Sequence, residues 1–304
     1  MTEAAPDTTA ATGRMATRRA TAIGFSAVAL WSLLALFTVG SAPVPPLLLN
    51  ALTFGIGGLL GLVWITLSGN LHELRGVSWK VYAFGTAGLF GYHFLYFSAL
   101  RMAPPAEAGL IAYLWPLLIV LFSGFLPGEH LGRLHILGAL LAFAGAAMIV
   151  ISNANTGSAG PSASALPGYG LAFLCALTWS AYSLGSRRLG RVPTAAVAVY
   201  CLATAALSAA AHLALEPSLW PVGPMGWAAV IALGLGPVGL AFYTWDIGVK
   251  RGDIQLLGTA SYAAPLLSTL ALIAAGAAHA NTVIVGAAVL IAAGAALAAK
   301  ASRR

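Results

Sequence analysis

The chain has 304 residues, 60% of them hydrophobic and 8% charged, with a mean hydropathy of +0.89 and a formal net charge of +7. A soluble domain carries about 25% charged residues, so this composition excludes a water-soluble enzyme or binding module and makes lipid the solvent. The positive charge does not point to nucleic acid, because the basic residues are scattered at helix ends with no basic face interleaved by aromatics.

Residues 1–19 are polar and poor in large apolar side chains, which predicts a disordered cytoplasmic N-terminus, with Met15 as an alternative start. Arg18-Arg19 before an apolar run resembles a signal n-region, but 20–39 is long enough to span and further spans follow, so a retained anchor is expected. The apolar runs of about twenty residues or more predict helices rather than membrane β-strands. Ten spans are expected, an all-α integral membrane fold. The first five run 20–40, 44–67, 78–101, 105–126 and 130–152; the second five run 168–188, 192–215, 222–250, 253–276 and 280–300. This divides the chain into a first five-helix repeat (20–152), an uncharged Gly/Ser/Pro linker (153–167) and a second repeat (168–304). Five is odd, so the second repeat is inverted relative to the first. With both termini and the even-numbered loops on one side, Arg101 is left alone on the other among the 15 basic residues. The positive-inside rule then puts both termini in the cytoplasm.

The repeat is visible residue by residue. Gly109, Tyr113, Pro116, Leu117 and Leu118 recur 149 positions later as Gly258, Tyr262, Pro265, Leu266 and Leu267, and Gly85 and Gly145 recur as Gly234 and Gly294. Trp31-Ser32 recurs as Trp179-Ser180 at a spacing of 148. A proline inside a helix leaves the carbonyl four residues earlier without its donor, so Pro116 should free the carbonyl of Ala112 and Pro265 that of Ser261. Both lie near the bilayer midplane, where freed backbone is tolerated against protein or a water-filled cavity. In inverted repeats that is where a substrate site is expected. Aromatic side chains surround these positions: Tyr113, Trp115 and Tyr262 beside the prolines, Tyr92, His93 and Tyr96 on the third helix, and mid-span Trp31, Trp179 and Tyr182. Trp64, Trp79, Trp220 and Trp227 near span ends read as interfacial belt residues. Gly85, Gly88 and Gly91 on the third helix, and Gly234, Gly236, Pro237 and Gly239 on the eighth, are hinge candidates.

Intramembrane charge is sparse. His93 reads either as a neutral packed histidine or as a proton-linked or substrate-binding group, Asp246 pairs locally with Lys250, and Glu107 lies near a helix N-terminus. No mid-membrane Lys or Arg is placed to bind a phosphate, and the first helix has no acid to bind a lipophilic cation. A zwitterion fits: ammonium on freed carbonyls, carboxylate on hydroxyl or helix N-terminal donors, side chain on aromatic rings. No cofactor or metal is expected, because Cys175 and Cys201 fall in apolar segments and no HExxH spacing or acid dyad occurs. The expectation is a transporter, not an enzyme, and a monomer in lipid.

The segment LYFSALRMAPPAEAGLIAYLWPLLIVLFSGFLPGEHLGRLHILGALLAFAGAAMIV and its second-half counterpart resemble the EamA branch of the drug/metabolite transporter superfamily. That branch carries a Gly-Glu pair before the fifth helix of a repeat, matched here by Gly128-Glu129. The second half has Ala277-Ala278 instead, so Glu129 reads as an interfacial structural residue. Within the branch, YLWP (113–116) and SYAAPLLS (261–268) resemble its aromatic amino-acid exporters. The resemblance implies a basket-shaped, alternating-access exporter of aromatic and other neutral amino acids in the bacterial inner membrane. It also implies a central site at Tyr92, His93, Tyr96, Tyr113, Trp115 and Tyr262. A drug or metabolite exporter on the same scaffold and a passive channel remain the alternatives, and proton antiport and facilitated diffusion both stay open.

Overall fold

The computed structural model describes residues 8–153, 163–274 and 282–302. In chain order the helices are α1 (Thr8–Trp31), α2 (Leu34–Gly40), α3 (Pro46–Leu67), α4 (His72–Arg75), α5 (Trp79–Met102), α6 (Pro105–Ala112), α7 (Trp115–Ser123), α8 (Arg133–Asn153), α9 (Leu166–Arg188), α10 (Ala196–Leu215), α11 (Gly223–Leu235), α12 (Ala241–Arg251), α13 (Ile254–Ala260), α14 (Ala263–Ala274) and α15 (Thr282–Ala301). Among the described residues, six helical stretches are long and apolar enough to cross a membrane: Thr12–Gly40, Pro46–Leu67, Arg133–Ser152, Ala196–Leu215, Gly223–Arg251 and Thr282–Ala301. Glu107–Ser123 is a shorter apolar helical stretch, and α5 and α9, of 24 and 23 residues, carry more tyrosine, serine and glycine.

Helix ends follow local chemistry. Proline sits in the first turn of α3, α6, α7, α9 and α11, where its missing N–H costs nothing. Asp253 caps α13 by accepting from the Leu256 N–H at 2.9 Å, and its own N–H donates to Thr21 Oγ1 at 2.9 Å, tying α13 to α1. Gly128 turns the chain into α8 at φ +80°, a conformation that suits glycine.

Small residues let the backbones close. A Cβ on Gly24 would sit 2.7 Å from Gly248 Cα, which joins α1 to α12, and a Cβ on Gly138 would sit 2.6 Å from the Gly294 carbonyl, which joins α8 to α15. The largest core cluster threads α1, α3, α5, α7, α9, α10 and α12, so residues from both halves of the chain share one interior.

The structure departs from the sequence reading in places. α1 begins at Thr8, so 8–19, expected to be disordered, is helical: it holds no proline, and its alanines and arginines offset Gly13. The span expected at 20–40 is interrupted at Ser32-Leu33, and most of the 153–167 linker lies outside the described residues. The hinge glycines behave differently in the two halves. α5 runs unbroken through Gly85, Gly88 and Gly91; the Tyr200 ring covers Gly85 and the Tyr182 ring covers Gly88. The eighth span does change form, with a π-helical turn over Gly236–Leu240 between α11 and α12. Pro237 supplies the cause, since it has no N–H for an α-helical bond.

Candidate functional site

Three helix interruptions meet an aromatic cluster. α1 stops at Trp31, α6 stops at Ala112 and α7 restarts at Trp115, and the π-helical turn ends at Leu240, two residues before Phe242. Trp31 lies with its ring centroid 5.1 Å from Trp245, 5.7 Å from Trp179, 6.2 Å from Trp115 and 6.2 Å from Phe242. Trp115 meets Trp245 at 5.7 Å, edge to face, and Trp179 at 6.2 Å. Such edge contacts align ring edges with ring faces and hold the cluster in one geometry.

The cluster continues along α5. Tyr92 lies 5.2 Å from Trp179, stacks on Tyr96 at 6.2 Å, and meets His93 at 5.1 Å. His93 is wedged between Phe54 at 5.0 Å and Phe242 at 6.1 Å, with Nδ1 2.8 Å from the Leu89 carbonyl. A carbonyl only accepts, so that contact has Nδ1–H as its donor. Tyr182 lies 5.2 Å from Trp179 and stacks on Phe84 at 6.0 Å. The hydroxyl of Ser180 donates to the Trp115 carbonyl at 3.0 Å, bonding α9 to the interruption before α7.

Of the residues expected from sequence, the ring network joins Tyr92, His93, Tyr96, Trp115, Trp179 and Tyr182. Tyr113 stands at the α6–α7 interruption within electrostatic reach of Tyr92 and Tyr96. Pro116 is buried at the start of α7. The second-half counterparts sit elsewhere. Tyr262 is fully buried among Leu117, Ala142, Phe143 and Ala146, and its hydroxyl accepts the Leu117 N–H at 3.0 Å. It braces the broken helix of the other half instead of facing the cluster. Ser261 turns its hydroxyl onto the Leu257 carbonyl at 2.7 Å. Its own carbonyl, expected to be freed by Pro265, accepts the Ala264 N–H at 3.0 Å in a tighter turn. Trp245, Phe54, Phe97 and Phe242 belong to the network without having been singled out; mid-span depth was a signal available for Trp245.

Tyr262→Phe strands the Leu117 N–H in a dry setting, at a cost of about 1–3 kcal/mol. The melting temperature in detergent is expected to fall by several degrees, and an unchanged value would mean that the bond is dispensable.

Polar groups cluster at the two ends. At the end where α9 and α12 finish, Arg187 donates to the carbonyls of Val249 (3.1 Å) and Gly252 (2.6 Å) and pairs with Glu129. One helix turn deeper, Asp246 pairs with Lys250 at 2.8 Å. At the other end, the buried carboxylate of Glu216 accepts the Leu47 and Leu48 N–H groups at 3.0 and 3.3 Å, and pairs with Arg101 and His212. Tyr169 hydrogen-bonds Glu107 there. Among the described residues no group of three His, Cys, Asp or Glu is placed to hold a metal ion.

A lipid-facing helical bundle with interrupted helices around an uncharged aromatic centre defines a multi-pass membrane transporter. The model of the EamA-like transporter family matches residues 19–151 and again 166–299, and the chain belongs to that family. It is 56% identical over 290 residues to a protein named aromatic amino acid exporter YddG from Ancylobacter novellus, covering 95% of this chain and 100% of the relative. Proteins of the same name from Salmonella typhimurium and Escherichia coli are 25% and 24% identical, each over 84% of this chain and 88% of the relative. A protein of known crystal structure, 56% identical, superposes with a TM-score of 0.90 over 94% of this chain and 98% of its own.

Proposed function

We propose that the chain is an alternating-access exporter of aromatic and other neutral amino acids in the bacterial inner membrane. It crosses ten times as two inverted five-helix repeats with both termini cytoplasmic, and works as a monomer with one central site at the repeat interface. The observation that carries this reading is the tryptophan cluster at the interrupted helices. Its partly exposed members, Trp31, Tyr92, His93 and Tyr96, would take an aromatic side chain, and the backbone of the interrupted helices beside them would take a zwitterion's charges. The names of the relatives support the substrate class.

Symmetry of contact supports the inverted repeat. Gly138 packs on the Gly294 carbonyl while Gly145 packs on the Ala287 carbonyl, and adding 149 to each first member gives the other pair's second. Contacts i–j′ and j–i′ of this kind arise across a two-fold axis. His93 and its equivalent Phe242 also touch, as do Trp31 and its equivalent Trp179.

The packing of the half-helices supports a conformation closed at the cytoplasmic end. α7 and α13 pack on each other, so that a Cβ on Gly258 would lie 2.9 Å from the Val120 side chain. α6 instead packs on α5, α8 and α9, whereas α14 packs on α1, α2, α8 and α15.

Counterflow in proteoliposomes tests the reading. Internal unlabelled phenylalanine should accelerate uptake of labelled phenylalanine, tryptophan and tyrosine should compete, and lipophilic cations should not. Competition by cations alone would make the chain a drug exporter, and absence of trans-stimulation would make it a channel.

A further inference from the structure

Asp246 is a buried, paired carboxylate with one oxygen left unsatisfied. Its side chain is fully buried, and Oδ2 takes both of its bonds, from Thr194 Oγ1 at 2.7 Å and Lys250 Nζ at 2.8 Å. Among the described residues Oδ1 has no hydrogen-bond partner. Tyr182 and Tyr200 are both within electrostatic reach of the carboxylate, and Ser186 is in contact with the Tyr182 hydroxyl. A buried acceptor left open costs free energy that a native fold rarely tolerates without a use.

The position suggests the use. Asp246 follows Trp245, whose indole N–H donates to Ser183 at 3.1 Å, and Tyr182 packs against Trp179. The carboxylate therefore lies one residue from the aromatic cluster along α12 and near Tyr182, between the cluster and the end where Arg187 and Glu129 pair. Lys250 is bonded not only to Asp246 but also to the Val192 carbonyl at 2.9 Å, in the connection from α9 to α10. Parting α9 from α12 must break that bond along with those of Arg187 to Val249 and Gly252. The ammonium of Lys250 is then free to move, and Asp246 gains access to water.

We propose that Asp246 and Lys250 form a loading subsite for the α-ammonium and α-carboxylate of the amino acid on the cytoplasmic side of the cluster. This deepens the exporter reading and rests on it. A zwitterion can insert between the two side chains without changing the net charge of the site: its ammonium satisfies Asp246, including the open Oδ1, and its carboxylate takes Lys250. Its aromatic side chain then lies toward Trp245 and Tyr182, on the path to the central cluster. In the closed conformation Lys250 takes the ammonium's place. Unloaded closure thus leaves no unpaired charge, and the subsite is available only from the cytoplasm.

The test is the sidedness of half-saturation, measured with labelled phenylalanine in inside-out and right-side-out membrane vesicles. Loss of a hydrogen bond to a charged group costs about tenfold or more in affinity. In D246N the ratio of the cytoplasmic-face to the outer-face constant should rise by that factor, and K250Q should raise it similarly. D246E, which keeps the carboxylate, should raise the ratio less than D246N does, and a single monodisperse species in size-exclusion chromatography establishes that each variant is folded. On the wild-type protein, tryptamine, an aromatic amine without the carboxylate, should inhibit more strongly from the cytoplasmic face than from the outer face. An unchanged ratio in folded D246N, or equal inhibition by tryptamine from both faces, overturns the subsite while leaving the exporter reading intact. Absence of saturable exchange in wild-type vesicles overturns the exporter reading itself.

Discussion

Trp31→Ala is expected to lower phenylalanine exchange at least about a hundredfold, equivalent to roughly 2.7 kcal/mol of lost transition-state or binding free energy. The ring meets Trp115, Trp179, Trp245 and Phe242, all within 6.2 Å. Aromatic pairs contribute about 0.5–1.5 kcal/mol each beyond area burial, and their sum is not additive. Removing the ring therefore lets three other helices lose their mutual alignment at once. Trp31 is only half-buried and ends a helix that is already interrupted, so the variant should still insert and run as a single species in size-exclusion chromatography. Trp31→Phe keeps an edge and a face in the same place and should retain most of the rate. By contrast Trp245 is fully buried and hydrogen-bonded to Ser183, so its removal tests stability more than transport. Near-wild-type exchange in folded Trp31→Ala would take the aromatic cluster out of the transport path.

Chemistry that a single residue enforces was legible in the sequence. Pro116 and Pro265 cannot donate, and the chain does turn out of helix just ahead of each, at 113–114 and 261–262. The interruption at Ser32-Leu33 carries no proline and no glycine, and no local sequence pattern marks it. Tyr262 shows the limit of reading by symmetry. Its equivalence to Tyr113 suggested a second wall of the site, yet the structure uses its hydroxyl to brace the partner helix. A repeat preserves backbone position, and the side-chain neighbours differ because the other half brings different residues: Ala264 stands where Trp115 would be matched, and Phe242 where His93 would be. Glu216 was overlooked, although a lone acid past the seventh span on the same side as the isolated Arg101 was a readable signal for their ion pair. Arg187 entered only as one more basic residue at a helix end. That its guanidinium holds two carbonyls and a carboxylate depends on α9, α12 and the turn before α8 converging, which is information about tertiary structure alone.

That convergence sets the second large effect. On the proposed alternating-access reading, Arg187→Gln should shift the conformational equilibrium toward opening at the end where α9 and α12 finish, the proposed cytoplasmic end. Arg187 binds the last turn of α12 and Glu129 together, with side-chain exposures of 23% for the arginine and 16% for the glutamate. Breaking a fully buried pair costs about 3–5 kcal/mol, and partial solvation reduces this to about 1–3 kcal/mol. A ligand-free equilibrium shifted by that amount moves about 5- to 150-fold. Ser183 reports the shift, because it is buried beneath the junction and accepts the Trp245 indole N–H. In Ser183→Cys, a membrane-impermeant maleimide applied from the cytoplasmic face should react slowly, and in Ser183→Cys with Arg187→Gln at least about tenfold faster. The native Cys175 and Cys201 are both buried and serve as the internal control against general unfolding. Faster labelling of Ser183→Cys with those two still protected identifies opening of the junction. Equal labelling with and without Arg187 would reduce the arginine to a helix-end tether and place the barrier to cytoplasmic access higher, in the tryptophan cluster itself.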